Sequence, residues 1–281
     1  MLKSKLGVLK YLFLRNDKVW ERLSEQEKKF IFQENLFFNN ERQDYKNPQN
    51  YGKSRVDGGE NWDSLASRAS LPRGKIIEKV LEQIKPQSVL EIGPGGGFFT
   101  KQVCEKPYVG EYVGVDIVRP FLDYLKPRLD KLKIQKRNFE FELVLGDFFT
   151  LNYQNKFDLI VLFSTVHHIP NRKELFFKLA GFLKKDGFIL CIDPSHYLMR
   201  KIHLLKNIPY YLKKSYQNLG NLSTHHFCSF EEYKKIALHS KYAIKKEYYI
   251  LPQKITHKKV LQGHSFFRWF SNEMGILLQK I

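Results

Sequence analysis

The sequence of 281 residues is poor in cysteine and in acidic residues, and it has no long apolar run. Its three cysteines, Cys104, Cys191 and Cys228, are odd in number and lack CxxC spacing, which suggests neither a disulfide framework nor a zinc site. No stretch approaches the roughly 18 apolar residues of a membrane-spanning helix. Lys10 interrupts the short apolar run at the start, and no small-residue cleavage site follows it, so we expect a cytoplasmic protein.

The shortage of acidic residues leaves an uneven positive charge. The chain has 47 Lys and Arg against 29 Asp and Glu, a net charge of +18, and residues 196–281 hold 15 of the basic residues but only 4 of the acidic ones. A localised basic surface indicates an anionic partner, such as nucleic acid, a phosphorylated substrate or a membrane face. Codon usage that favours lysine gives the same composition, so the charge alone identifies no partner.

The hydrophobic pattern divides the chain into three parts. Residues 1–70 predict a helical N-terminal extension with a capping box at Ser24 and Glu27, followed by a polar lid loop. Residues 71–195 alternate strand-like and helix-like stretches, which is typical of an α/β fold with a doubly wound, mostly parallel Rossmann-like sheet and helices on both faces. The predicted strands are SVLEIG, EYVGVDIV, FEFELVLGD, FDLIVLFST and GFILCIDP, and the predicted helices between them span 97–105, 119–134 and 171–185.

Residues 196–281 form the third part, with basic cap helices and a segment that completes the sheet. The segment 197–217 is basic and amphipathic, and it serves either as a cap over the substrate or as a contact with an anionic membrane at the inner face. A helix capped by Ser229 and a strand, YAIKKEYYIL, follow. The tail from Ser265 is helix-compatible. The last strand of the sheet is therefore either supplied by residues 257–267 or missing.

The stretch VLEIGPGGGFF predicts a binding loop directly after the first strand of the sheet. A dinucleotide fingerprint requires glycine at position 98, where Phe98 stands, and no Gly-Lys-Ser/Thr of a P-loop follows. Asp116 ends the second strand, where a carboxylate can accept hydrogen bonds from the two hydroxyls of a ribose. Asp147 follows the third strand, at a place where it could accept from an adenine amine.

Five motifs in this order resemble the class I S-adenosylmethionine-dependent methyltransferases, particularly the small-molecule group that includes ubiquinone/menaquinone methyltransferase-like proteins. The motifs are VLEIGPGGGFFT, YVGVDI, LVLGDFF, FDLIVLFSTVHHIP and LKKDGFILCIDP. The resemblance covers about residues 70 to 250. It implies a methyltransferase with S-adenosylmethionine as its cofactor.

The resemblance also implies a role for each residue of the cofactor site. It implies that Gly93, Gly95 and Gly97 bring backbone against the methionine part, that Glu91 shapes the loop and that Asp116 holds the ribose. Asp147 and Phe148 would bind the adenine. The full predicted set is Glu91, Gly93, Pro94, Gly95, Gly97, Asp116, Ile117, Asp147, Phe148 and Ser164.

Methyl transfer needs a general base only where the acceptor is a hydroxyl or a protonated amine, and histidine is suited to that role. His167 and His168 both follow the fourth strand, in the loop expected to face the cofactor and the acceptor. His168 is the first candidate and His167 the second. The predicted substrate-binding residues are Trp62, His196, His225 and His226, and no spacing among the histidines supports a metal, so we expect none.

The expected acceptor is a small molecule, glycan or lipid-linked intermediate, methylated at O or N. The basic final third favours RNA as an alternative acceptor. No Asn/Asp-Pro-Pro-Tyr/Phe run follows the fourth strand, however, and this absence weakens the case for RNA. A non-catalytic binding protein with the same fold is a third interpretation, against which the intact cofactor motifs argue.

Overall fold

One eight-stranded sheet organises the part of the chain that the computed structural model describes. The described residues are 23–29, 46–48, 61–63, 72–169, 171–194, 230–251, 260–262, 271 and 273–281. The parallel strands are β1 (Ser88–Ile92), β2 (Glu111–Asp116), β3 (Glu140–Leu145), β4 (Phe157–Phe163) and β5 (Leu183–Pro194). The antiparallel strands are β6 (Tyr242–Ile250), β7 (Val260–Gln262) and β8 (Glu273–Lys280).

In the described part of the chain, five helices cover the two faces of this sheet. They are α1 (Pro72–Ile84), α2 (Phe98–Cys104), α3 (Arg119–Gln135), α4 (Arg172–Phe182) and α5 (Phe230–His239). Side chains of α1, α2 and α3 pack with Val89 and Leu159 on one face, and those of α4 and α5 pack with Leu90 and Ile160 on the other. Because neighbouring residues of a strand point to opposite faces, a sheet covered on both sides needs apolar residues at nearly every position. The predicted doubly wound α/β fold is confirmed.

The strand order places a crevice beside β1. Across the sheet the order is β3-β2-β1-β4-β5-β8-β6-β7, so the chain moves from β1 to one side and then returns to β4 on the other. Ligands of open α/β sheets bind beyond the carboxyl ends of the strands at such a switch point. The loops after β1, β2, β3 and β4 all end at this edge.

The C-terminal tail differs from its prediction. We expected a helix-compatible tail, yet Glu273–Lys280 forms β8 and lies between β5 and β6. Residues 274–278 are all buried, and a short apolar run buried on both faces has no period that distinguishes a strand from a helix. Of residues 257–267, only Val260–Gln262 is described as a strand, and β7 lies at the edge of the sheet. The sheet is therefore not short of a strand.

A second difference concerns the end of α4. The helix was predicted to run to residue 185, but it ends at Phe182, and Leu183 already pairs with Phe157 of β4. Its start agrees with the prediction, because the Asn171 side chain accepts a hydrogen bond from the Glu174 amide. Pairing with β4 ends the helix three residues before its predicted end at residue 185.

The capping box near the N-terminus is present as predicted. The Glu27 amide donates to the Ser24 hydroxyl over 3.2 Å, and the Ser24 amide donates to the Glu27 carboxylate over 3.1 Å. In the described part of the chain, every helix is too short or too polar to cross a membrane. The three-part division at residues 70 and 195 stays a prediction.

Candidate functional site

The glycine loop, residues 93–97, joins β1 to α2 through three left-handed positions. Gly93, Gly95 and Gly97 have φ of +72°, +53° and +77°, a region that other residues adopt at a cost. A Cβ added at Gly93 would lie 2.7 Å from Oγ1 of Thr165, whereas one added at Gly95 would meet nothing within 4 Å. The Gly95 backbone therefore faces open space, and a ligand can approach the main chain closely there.

Two cavities meet at this loop and form one groove along the carboxyl edge of the sheet. The smaller, of about 160 Å³, follows the glycine loop, and the larger, of about 610 Å³, extends past β3 to the helical segment at residues 25–29. The residues that line both are Gly93, Asp116, Ile117, Thr165 and His168. Among the predicted cofactor residues, Glu91, Pro94, Gly95 and Ser164 line the smaller cavity, and Asp147 and Phe148 line the larger.

Asp116 stands at the end of β2, where the two cavities join. Its two carboxylate oxygens accept hydrogen bonds from the Gly95 amide over 3.1 Å and from the Val118 amide over 2.9 Å. Burial raises the pKa of this carboxyl to about 6, because an ionised group is poorly solvated there. Asp116 thus orients the glycine loop from inside the groove and offers its remaining acceptor capacity to a ligand.

Glu91 anchors the other end of the loop and is 1% exposed. Its carboxylate accepts hydrogen bonds from the Thr100 hydroxyl and from the Tyr112 hydroxyl, each over 2.8 Å. Desolvation raises the pKa of Glu91 to about 7, while the two hydrogen bonds act to lower it. The carboxyl therefore ties β1 to α2 and β2, which is a physical basis for its predicted role in shaping the loop.

The side of the groove predicted for adenine begins after β3. Asp147 accepts a hydrogen bond from the Phe149 amide over 3.0 Å and caps the 3₁₀ turn Phe148–Thr150. This cap fixes the Phe148 side chain in the wall of the larger cavity, with Ile117 from the loop after β2. An apolar wall beside a carboxylate suits a flat ring that carries a hydrogen-bond donor.

The two adjacent histidines lie in different surroundings. Both belong to the 3₁₀ turn Val166–His168 after β4, with ring centres 4.0 Å apart. His168 lines both cavities. His167 lines neither cavity; it is buried, and its Nδ1 hydrogen-bonds to Oδ1 of Asp193 over 2.9 Å. The geometry therefore favours His168 as the residue that faces an acceptor. Its catalytic role stays a prediction.

Sequence reasoning missed Asp193 and Arg73. Asp193 is 2% exposed at the end of β5, and desolvation raises its pKa well above the usual range, opposed by the charges of Arg73 and Arg172. Arg73 lines the smaller cavity, and its Nε donates to the Glu273 carboxylate over 2.6 Å. A strand-end carboxylate in CIDP was a usable signal for Asp193. The sequence contains no comparable signal for Arg73, because its partner Glu273 lies 200 residues away in a strand that was predicted as helix.

Several predicted residues do not reach the groove or lie beyond the described chain. Trp62 and Gly97 line neither cavity, and Trp62 instead packs in the buried cluster that covers α2 and α3. The predicted contact of Trp62 with substrate is therefore not supported by its position. His196, His225 and His226 lie outside the described residues, as does the segment 197–217. Within the described ranges, no group of three or more His, Cys, Asp or Glu is placed to hold a metal ion.

The groove fits S-adenosylmethionine. Open space at Gly95, a buried carboxylate at the end of β2 and a capped aromatic after β3 suit its amino-acid, ribose and adenine parts in turn. A side chain at position 95 would enter the open space beside the loop. A doubly wound sheet with this groove defines the class I S-adenosylmethionine-dependent methyltransferases.

Residues 84–256 match the family model described as a methyltransferase domain, and the chain belongs to that family. It is an S-adenosylmethionine-dependent methyltransferase, so the interpretation as a non-catalytic protein is not kept.

Two solved structures and one curated enzyme are similar to the chain. An S-adenosylmethionine-dependent methyltransferase from Clostridium acetobutylicum is 16% identical with a TM-score of 0.51, over 73% of this chain and 89% of that one. A methyltransferase from Methanosarcina mazei is 14% identical with a TM-score of 0.51, over 72% and 97%. Both show the fold alone.

The curated enzyme is malonyl-[acyl-carrier protein] O-methyltransferase 2 of Ilyobacter polytropus. It is 32% identical over 103 residues, which are 37% of this chain and 38% of that enzyme. The match therefore spans less than half of either protein.

Proposed function

We propose that the protein transfers a methyl group from S-adenosylmethionine to an oxygen or nitrogen of a small molecule, glycan or lipid-linked intermediate. The position of His168 carries this proposal, because its half-buried imidazole lines both cavities at the point where they meet. An O–H or N–H acceptor must lose a proton, and a neutral imidazole can accept it near neutral pH. The name of the Ilyobacter relative, which describes methylation at oxygen, supports this acceptor class.

The chain's own residues would bind, align and desolvate the reactants. When bound, S-adenosylmethionine supplies an already activated methyl group. Asp116 and the Gly95 backbone would hold the ribose and amino-acid parts, and Phe148 would hold the adenine. Phe99 and Phe163, with rings 5.1 Å apart, line the smaller cavity and would help to exclude water from a bound ligand. His168 would orient the acceptor and take up its proton at a ring nitrogen, so that alignment does most of the catalysis.

Transfer of radiolabelled methyl into fractionated host extract tests the proposed acceptor class. The purified protein is incubated with labelled S-adenosylmethionine and separate small-molecule, lipid, glycan and RNA fractions, with malonyl-acyl carrier protein as one defined acceptor. We expect label in the small-molecule, lipid or glycan fraction, and we expect it to be lost in His168→Asn. Label that appears only in RNA and disappears after ribonuclease treatment would replace this proposal with an RNA methyltransferase.

We also propose a cytoplasmic location with peripheral contact at the inner membrane face. The basic composition of residues 196–281 supports it. Flotation with anionic liposomes tests this contact. Protein that stays at the bottom of the gradient with both anionic and neutral liposomes would contradict it.

A further inference from the structure

Residues 61–63, called here the 61–63 segment, contact the glycine loop without lining either cavity. The Trp62 amide donates to the Gly96 carbonyl over 2.7 Å, and Asn61 forms an antiparallel bridge with Gly97. The loop is therefore held from two sides. Asp116 holds Gly95 from the groove, and the 61–63 segment holds the next two residues.

Packing adds to this backbone contact. A Cβ at Gly97 would lie 2.1 Å from Cδ2 of Leu125 and 3.4 Å from the Trp62 ring, so the glycine is enclosed between α3 and the 61–63 segment. Trp62 is 8% exposed, and it belongs to the same buried cluster as Phe98 and Leu125. The left-handed backbone at Gly97 is thus fixed by its surroundings.

A polar contact ties the far end of the segment to α3. The Asp63 carboxylate accepts hydrogen bonds from the Tyr124 hydroxyl over 2.8 Å and from Nε of Arg128 over 3.1 Å, and it also pairs with a terminal nitrogen of Arg128. The Arg128 guanidinium lies 3.5 Å from the centre of the Tyr124 ring, which fixes its direction. The hydrogen bond from Arg128 is the main reason that the pKa of Asp63 is lowered.

From these contacts we infer that the 61–63 segment sets the cofactor affinity of the enzyme by holding the glycine loop in its binding conformation. Trp62 and Asp63 are then positioning residues, not ligands. A loop of small residues has few side-chain anchors of its own, and its left-handed conformation must be determined by neighbours. This inference concerns the cofactor and goes beyond the proposal about the acceptor, so its test needs no acceptor.

Calorimetric titration with S-adenosylhomocysteine, the demethylated cofactor, tests the inference on the full chain. We expect Asp63→Asn to weaken the affinity by about threefold to tenfold, the value of a single hydrogen bond at a partly exposed site. Asp130→Asn is the matched control, because it removes the Lys126–Asp130 pair on the same helix without contact to the segment. It should change the affinity by less than about twofold.

A second variant keeps the test valid if Asp63→Asn does not fold. Tyr124→Phe removes only the hydroxyl that donates to Asp63 and retains the ring beneath Arg128. It should weaken binding in the same direction. If the folded variants bind within about twofold of the wild type, while only their melting temperature falls, the contact is merely structural and the inference is wrong.

A double-mutant cycle separates positioning from general stability. Asp63→Asn combined with Arg128→Met should weaken cofactor affinity no more than either change alone, because both remove the contact between Asp63 and Arg128. Additive losses of affinity would overturn the inference.

Discussion

At the scale of single residues, the carboxylate of Asp116 has two structural partners and faces the ligand groove. We expect Asp116→Ala to weaken S-adenosylhomocysteine binding by about tenfold to a hundredfold, since a charged acceptor for ligand and loop is lost. Calorimetric titration measures the effect. Asp123→Ala, at an exposed position of α3, is the control and should bind as the wild type does. Equal affinities for both variants would remove Asp116 from the cofactor site.

The two histidines should give opposite phenotypes. His168→Asn should retain cofactor affinity and lose about 10²-fold to 10⁴-fold in turnover with the acceptor fraction found by methyl labelling. His167→Asn should instead lower the free energy of unfolding by about 1–3 kcal/mol, because Asp193 would lose a buried hydrogen-bond partner. Urea unfolding and initial rates measure the two effects. Full turnover in His168→Asn would exclude it as the base.

The histidine pair also shows what sequence can predict at this scale. The motif HHIP located the loop, and the strand order explains why a loop after β4 lies beside Asp116. Local pattern supplied no physical ground for ranking His168 above His167, since adjacent residues of a 3₁₀ turn point about 120° apart and only the packing decides which one faces the groove. Asp193 and Arg73 depend on contacts across the sheet, which local patterns do not contain.

At the scale of elements, substitutions at two positions of the glycine loop should affect stability and cofactor binding differently. Gly97→Ala should cost about 1–3 kcal/mol of unfolding free energy, because a left-handed residue would gain a Cβ 2.1 Å from a Leu125 methyl. Gly95→Ala should cost less stability, as its Cβ meets open space, and should weaken cofactor binding because that space belongs to the groove. Chemical unfolding and calorimetric titration of both variants provide the comparison, and the reverse pattern would contradict it.

The strands and helices of residues 71–195 were predictable, whereas β8 was not. The alternation of apolar runs with helical spacing located β1 to β5 and α2 to α4 to within a few residues. In β8, five consecutive residues are buried, and Gly275 lies against Tyr248 of β6. The assignment of such a run depends on an open position between β5 and β6, which exists only in the assembled sheet.

At the scale of the whole molecule, β8 joins distant parts of the chain to the site. It pairs with β5 up to Pro194, and Glu273 at its start holds Arg73 at the smaller cavity. The described part of residues 196–281 therefore completes the sheet and also orients a residue of the groove.

The buried carboxyl of Glu91 should make the stability of the whole fold depend on pH. Its pKa of about 7, raised from 4.5 by desolvation, means that the folded protein retains a proton that the unfolded chain releases. Ionisation of Glu91 therefore destabilises the folded state. The free energy of unfolding should fall by about 3 kcal/mol as the pH rises from about 4.5 to about 7.

Glu91→Gln tests this dependence, because the neutral amide keeps an oxygen that can accept from Thr100 or Tyr112 but does not ionise. Urea unfolding at several pH values should give a smaller decrease for Glu91→Gln than for the wild type, and Asp116 contributes equally to both. Glu105→Gln, at an exposed position after α2, should retain the wild-type dependence. Equal slopes for the wild type and Glu91→Gln would mean that the carboxyl is already ionised in the fold, so that its hydrogen bonds from Thr100 and Tyr112 outweigh the cost of burial.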